Sequence, residues 1–228
     1  MPLISVDLLL CFIVHKSNYM DSTNTESEGK TILLICDFQE GTLSIWKEDP
    51  EWKEQTLANL QSLLSSVRST TMYKERNLLI GFVGIAFSPG YPEIGSSSHP
   101  IFQFFLKSGI LQRGNPDVEF FPAPDIADDD SRPREVILYK TRGSAFHDTR
   151  LDTIMRAQNV ERIVICGLAT SGVVLSTVRQ AADLDYDVIV LEDCCGDLSK
   201  ERHTAAVEHI FPMQTKVTQS KEWVADLK

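Results

Sequence analysis

The chain has 228 residues, and its hydrophobic fraction of 43% and charged fraction of 24% are those of a globular protein with a sizeable core. Its formal net charge of −10 argues against a nucleic-acid partner, because phosphate binding requires clustered lysines and arginines. The five cysteines are odd in number and show no zinc-ligand spacing. This cysteine usage predicts a reducing compartment, and we expect a cytoplasmic protein.

The first thirty residues differ in character from the rest of the chain. An apolar run at residues 8–14 is too short to span a bilayer, and it lacks the basic flank and cleavage site of a secretory signal. A polar stretch at residues 17–30 follows and is typical of a linker. We therefore predict a loosely ordered extension at residues 1–30, one domain at residues 31–228 and no membrane partner.

From residue 31 onward, apolar runs alternate with helical patterns. The apolar runs are continuous, as expected for strands that are buried on both faces of a parallel sheet. Predicted strands cover residues 31–36, 78–87, 135–139, 162–166, 187–191 and 216–218. Predicted helices cover residues 51–73, 151–158, 171–184 and 200–210. This alternation predicts an α/β fold with a mainly parallel sheet.

Two segments interrupt the alternation. Residues 88–98 are rich in proline, glycine and serine, and residues 117–133 are acidic, with three consecutive aspartates at 128–130. We predict surface loops for both segments, and long loops in compact domains are often functional. The aspartates favour a solvated turn, and a site for a hard metal ion is the alternative.

Charged residues follow two of the predicted strands. Asp37 follows the first strand and Lys140 follows the third. In an open parallel sheet, ligands bind at the carboxyl ends of the strands, so these side chains can meet over one pocket. The aspartate could transfer a proton while the lysine stabilises negative charge. A salt bridge that only stabilises the sheet edge is the alternative, and spacing does not separate the two.

The segment after the fourth predicted strand consists of small residues that lead directly into a helix. Its backbone N–H groups and the positive helix N-terminus suit an anion or an oxyanion. The sequence at 167–173 is neither a P-loop nor a dinucleotide fingerprint. Thr170 and Ser171 are more typical of helix caps than of nucleophiles.

Three motifs in this order resemble those of the isochorismatase-like hydrolases, which include nicotinamidases and other cysteine amidohydrolases. They are ICDFQ at 35–39, KTRGSAF at 140–146 and GLATSGVVLSTVRQAA at 167–182, and Asp193 also fits. The resemblance covers residues 31–217. It implies a three-layer αβα sandwich around a six-stranded, mainly parallel, Rossmann-like sheet, and a homo-oligomer that is a dimer or tetramer.

In the amidase members of that family, an aspartate, a lysine and a cysteine form a catalytic triad. The resemblance assigns the first two roles to Asp37 and Lys140, and it places Val173 at the position of the nucleophile. A valine forms no covalent intermediate, so ordinary cysteine amidase chemistry is not expected. The isochorismatase branch hydrolyses a vinyl ether without a cysteine, and its aspartate acts as the acid. The paired histidines of the nicotinamidase metal site are missing, because no histidine lies between Asp37 and His99. We predict no metal and no other cofactor.

The same motifs supply the remaining site residues. The resemblance assigns Leu168, Ala169 and Gly172 to an oxyanion turn and implies a cis peptide bond at Leu168–Ala169. The candidate substrate-pocket residues are Phe38, Gln39, Arg142, Ser144, Phe146, Thr170 and Ser171. Arg142 and Ser144 could meet a substrate carboxylate, and aromatic residues could form an apolar wall, with Trp46, Phe87 and Tyr91 as further candidates. Ordinary structural roles are the alternative for each of them.

These observations predict a hydrolase that acts on a small polar metabolite by acid-base chemistry of Asp37 and Lys140. One alternative is a catalytically inactive family member that binds a small molecule. Another is an interaction role for the region at residues 81–130. The sequence does not separate these three functions.

Overall fold

The computed structural model describes residues 29–126 and 134–227 of the chain. The predicted N-terminal extension therefore lies almost entirely outside the described residues, and so do the three aspartates at 128–130. Within the described ranges, no helix combines the length and apolarity that crossing a membrane requires.

Six parallel strands form one sheet. They are β1 (Lys30–Cys36), β2 (Leu78–Ile85), β3 (Glu135–Lys140), β4 (Val160–Gly167), β5 (Asp187–Leu191) and β6 (Lys216–Thr218). The strand order is β3-β2-β1-β4-β5-β6, and every neighbouring pair is parallel. Helices flank this sheet, so the predicted α/β fold class is confirmed.

Eight α-helices lie between or after the strands in the described residues. They are α1 (Glu40–Ile45), α2 (Pro50–Ser69), α3 (Thr71–Lys74), α4 (Pro100–Ser108), α5 (Leu151–Gln158), α6 (Leu175–Asp183), α7 (Lys200–Ala205) and α8 (Ser220–Ala225). Asp49 caps α2 by accepting a hydrogen bond from the amide of Trp52. The predicted helix at 51–73 is split, because Thr70 adopts an extended conformation and its side chain caps α3.

Two hydrophobic clusters support the fold. The larger one surrounds β1, whose residues from Ile32 to Cys36 are fully buried between β2 and β4. The smaller one is built by the segment that follows β2, and its buried members are Phe87, Tyr91, Ile94, Phe105 and Leu111. The predicted surface loop at 88–98 therefore contributes two buried side chains to a core.

The register of the strands places the candidate site residues at one edge of the sheet. Cys36 pairs with Gly167, so the carboxyl ends of β1 and β4 lie side by side. Lys140 pairs with Ile85, and β2 therefore separates the end of β3 from the end of β1. Asp37 and the segment after Gly167 consequently begin at neighbouring positions, and Lys140 must reach across β2.

Candidate active site

Asp37 and Lys140 form a buried ion pair at the carboxyl edge of the sheet. The backbone turns into the left-handed region at Asp37, with φ of 58°, and the amide of Asp37 donates to the carbonyl of Val83. Lys140 Nζ donates to Asp37 Oδ2 at 2.8 Å and to the carbonyl oxygen of Arg142 at 3.1 Å. Asp37 is 3% exposed and Lys140 is 1% exposed. The structure thus brings together the two residues that the sequence selected.

The two carboxylate oxygens of Asp37 differ in their surroundings. Asp37 Oδ1 is buried and has no hydrogen-bond partner among the described residues. Burial raises the pKa of Asp37 to about 6, although the charge of Lys140 and its hydrogen bond act in the opposite direction. Asp37 can therefore donate or accept a proton close to neutral pH.

The turn after β4 lies beside this ion pair. The peptide bond Leu168–Ala169 is cis, as the family resemblance implies, and the amide of Leu168 donates to the carbonyl of Cys36 at 3.0 Å. A π-helical turn, Thr170–Val174, follows and leads into α6. Val173 belongs to this turn and is 3% exposed.

Residues 196 and 197 hold the turn from its far side. The carbonyl of Gly196 accepts hydrogen bonds from both the amide and the hydroxyl of Thr170. The carboxylate of Asp197 accepts from the amide of Ser171 at 2.7 Å. A glycine is required at 196, because a Cβ atom there would lie 2.3 Å from the ring of Trp46. These contacts fix the backbone on which Val173 is carried.

One cavity of about 220 Å³ joins the ion pair and the turn. Eight of the site residues that we predicted from the sequence line this cavity, namely Asp37, Phe87, Lys140, Arg142, Leu168, Ala169, Gly172 and Val173. The apolar residues that the sequence did not reveal are Ile45, Ile85, Ile101, Phe102, Phe105 and Leu198. Thr42, Thr141, Gly143 and Ser176 complete the lining. Three of the missed apolar residues belong to α4 and the other three to separate segments, so tertiary packing brings them together.

The other candidate pocket residues lie outside the cavity lining. Phe38 is fully buried in the larger core, and Phe146 packs against the ring of Tyr186. The amide of Gln39 binds the backbone of Ile85 and Val118. These three side chains support the framework around the site and do not reach the cavity.

Three hydroxyl residues from the same motifs also have partners within the framework. Ser144 accepts a hydrogen bond from the amide of Phe146. Thr170 binds the carbonyl of Gly196 and lies 2.9 Å from Nδ1 of His203. Ser171 donates its amide to Asp197 and does not line the cavity. These three residues therefore stabilise the turns around the cavity.

None of the four described cysteines lines the cavity. Cys36, Cys166, Cys194 and Cys195 are free and buried. Burial raises the pKa of each thiol above its usual value, so each is held in its unreactive neutral form. No described thiol therefore lies in the cavity that Val173 lines.

Metal-binding side chains do not cluster in the part of the chain that the structure describes. No group of three histidine, cysteine or acidic residues there is placed to hold a metal ion. The chemistry that the described cavity residues offer is proton transfer by Asp37 beside the ammonium group of Lys140.

Comparison with known proteins places these features in a family context. The sequence model of the Isochorismatase domain matches residues 31–222. The uncharacterized isochorismatase family protein YwoC of Bacillus subtilis is 28% identical over 209 residues, which cover 92% of this chain and 100% of YwoC. The ureidoacrylate amidohydrolase RutB of Variovorax paradoxus is 28% identical over 154 residues, which cover 63% of this chain and 57% of RutB.

Solved structures share the fold. An isochorismatase family protein from Burkholderia thailandensis superimposes with a TM-score of 0.67 and 24% identity, over 86% of this chain and 94% of that chain. The nicotinamidase PncA from Bacillus subtilis superimposes with a TM-score of 0.61 and 17% identity, over 83% of this chain and 100% of that chain.

Proposed function

Because this chain belongs to the isochorismatase family, we propose that it is a small-molecule hydrolase in which Asp37 transfers the proton and residue 173 forms no covalent bond. Relatives of the chain include hydrolases of C–N bonds, such as the ureidoacrylate amidohydrolase. The reaction that fits a cavity lined by no described cysteine is the hydrolysis of a vinyl ether.

The observation that carries this proposal is the state of the Asp37 carboxyl group. Its Oδ1 atom is buried in the cavity region without a hydrogen-bond partner in the described structure, while Oδ2 is held by Lys140. Burial raises the pKa of Asp37 to about 6, so the protonated carboxyl group is accessible near neutral pH. A positioned carboxylic acid of this kind is the catalyst that vinyl-ether protonation requires.

The chemical steps balance without a thiol. Asp37 donates its proton to the terminal vinyl carbon, and the substrate becomes an oxocarbenium ion. Water adds to the cationic carbon and returns a proton to the Asp37 carboxylate. The hemiketal hydroxyl then gives up its proton and the ether oxygen gains one as the bond between that oxygen and the carbon breaks, which yields an alcohol and a carbonyl compound. One water is consumed, and Asp37 is left protonated as it began.

Lys140 supports these steps electrostatically. Its ammonium group lies 2.8 Å from Asp37 Oδ2, where it stabilises the carboxylate that remains after proton donation. The buried, low-dielectric position of the pair strengthens this interaction. The fixed distance also keeps the free oxygen of Asp37 oriented in one direction.

A catalytically inactive, small-molecule-binding protein is the second candidate function. The observation that favours it is the buried side chain of Val173 in the cavity, at the position that the family resemblance assigns to the nucleophile. This candidate function predicts that ligands occupy the cavity and leave it unchanged.

Turnover measured by mass spectrometry separates the two functions. We expect the purified protein to hydrolyse isochorismate, as the test vinyl ether, and to leave a panel of small amides intact. Asp37→Asn should lower the rate by at least about a hundredfold, the usual contribution of a general acid. Asp152→Asn, which changes an exposed aspartate in α5, is the matched control and should retain full activity. Ligand binding without any turnover would instead establish the binding protein.

Two further expectations accompany this function. We expect a cytoplasmic location, because the four described cysteines are free, and cell fractionation tests it. We also expect a homo-oligomer, as the family resemblance implies.

A further inference from the structure

The walls of the active-site cavity are apolar. Phe87, Phe102 and Phe105 line one side, and all three come from the segment between β2 and β3. Ile101 and Leu198 line the cavity as well, although they are 50% and 37% exposed. These two residues therefore lie where the cavity opens to solvent, and the apolar surface extends from the interior to the rim. Such a lining favours a ligand with an apolar body.

The charges on the cavity wall do not cancel. The titratable side chains that line the cavity are Asp37, Lys140 and Arg142. Asp37 and Lys140 compensate each other as an ion pair. Arg142 forms no salt bridge with a carboxylate within the described ranges, so one positive charge remains uncompensated. An excess positive charge on an apolar wall attracts an anionic group.

The guanidinium group of Arg142 is fixed in place by neutral partners. Nη1 donates to the carbonyl of Thr141 at 2.8 Å, and Nη2 donates to the carbonyl of Glu93 at 2.9 Å. The guanidinium carbon also lies 4.8 Å from the centre of the Phe102 ring. Because a guanidinium group carries five N–H donors, donors remain after these two bonds. A fixed, half-buried arginine with free donors is suited to bind a carboxylate.

We propose that the ligand of this site combines an apolar body with at least one carboxylate, and that Arg142 binds that carboxylate. The apolar body packs against Phe102, Phe105 and Ile101. This inference rests on the function proposed above and names its substrate class. It narrows the small polar metabolite that the sequence predicts to a molecule that joins a carboxylate to an apolar frame.

Equilibrium binding tests this proposal without any turnover. The probes are benzoate, benzamide and succinate, measured by isothermal titration calorimetry at pH 7. Benzoate and benzamide have nearly the same shape but differ in charge, and succinate carries charge without an apolar body. We expect benzoate to bind at least about tenfold more tightly than either of the other two. Tighter binding of succinate or benzamide, or no binding of benzoate, would overturn the proposal.

Variants of Arg142 test whether this residue binds the carboxylate of the ligand. We expect Arg142→Gln to weaken benzoate binding by about tenfold or more and to change benzamide binding little. The matched control is Arg113→Gln, which removes an exposed arginine that does not line the cavity, and it should bind both probes as the wild type does. Equal losses for benzoate and benzamide in Arg142→Gln would show that Arg142 only supports the wall, and would contradict the inference.

Two features keep this test independent of other failures. If Arg142→Gln does not fold, Arg142→Lys is the second variant. It retains the positive charge but lacks the planar guanidinium donors, and we expect it to weaken the binding of benzoate more than that of benzamide. None of the three probes contains a vinyl ether. If the protein binds benzoate but hydrolyses no vinyl ether, the proposed function is rejected and the substrate class is retained. If it hydrolyses a vinyl ether but does not bind benzoate, the substrate class is rejected and the proposed function is retained.

Discussion

At the scale of single residues, the Asp37–Lys140 pair controls how the reaction depends on pH. The proposed reaction uses the protonated carboxyl group of Asp37, whose pKa burial raises to about 6. We expect kcat/KM for a vinyl ether to be level below pH 6 and to fall about tenfold per pH unit above it. The measurement is a pH-rate profile over pH 4.5–9. A rate that rises with pH through this region would make Asp37 a base and would exclude the mechanism.

The side chain at position 173 sets the second expectation at this scale. Val173→Cys would place a thiol in the cavity that holds the Lys140 ammonium, and such surroundings lower the pKa of a thiol. We expect iodoacetamide to label residue 173 at least about tenfold faster than residue 174 in the control Val174→Cys. Val174 is fully buried and does not line the cavity. Peptide mass mapping measures both rates, and equal labelling would mean that position 173 is not accessible from the cavity.

The residues of the site differ in how far the sequence could predict them. Asp37 and Lys140 were predictable, because a charged residue directly after a continuous apolar run lies at the carboxyl edge of a parallel sheet. Gln39 belongs to the same motif as Asp37, yet its side chain binds the backbone of Ile85. Phe102 and Leu198 line the cavity through tertiary packing alone. Motif membership therefore predicted the chemistry and did not predict the cavity wall.

At the scale of elements, the start of β3 depends on one buried carboxylate. Glu135 is 1% exposed and accepts hydrogen bonds from Arg68, from the hydroxyl of Tyr73 and from the amide of Asp125. These contacts connect the edge strand to α2 and α3.

Removal of this carboxylate should leave its partners without an acceptor. We expect Glu135→Ala to lower the free energy of unfolding by about 3 kcal/mol in urea denaturation. The control is Asp152→Ala, which removes an exposed ion pair with Arg156 on α5 and should have little effect. Similar losses in the two variants would contradict the structural role of Glu135.

Elements also differ in how well the sequence predicted them. The predicted strands agree with β1 to β6 within two residues at each end. Continuous apolar runs explain the agreement for the buried strands, whereas the short β6, Lys216–Thr218, is not such a run. The helix α4 was not predicted, since it is short and only Phe105 of its residues is buried. Its packing partners Phe87, Tyr91 and Leu111 lie on either side of it in the sequence. Local patterns do not encode such a cluster.

At the scale of the whole molecule, the exposed apolar surface bears on assembly. Phe104 and Leu106 of α4 are 40% and 39% exposed and do not line the cavity, and exposed apolar side chains that lie close together mark interaction sites. We expect the protein to sediment as an oligomer and Phe104→Asp to shift it toward a single chain. Met213→Asp, at a residue that is 83% exposed on another segment, is the control and should not change sedimentation. A wild-type protein that sediments as a single chain would remove this expectation.

The central position of β1 has a consequence for how the protein is made on the ribosome. β1, which leads directly into Asp37, emerges first of the six strands from the exit tunnel, but one of its two neighbours, β4, emerges more than a hundred residues later. A nascent chain that has reached α5 already contains Asp37 and Lys140, yet one edge of β1 is still unpaired. Such an edge is prone to aggregate. The ion pair and the turn after β4 can therefore come together only after β4 has been synthesised.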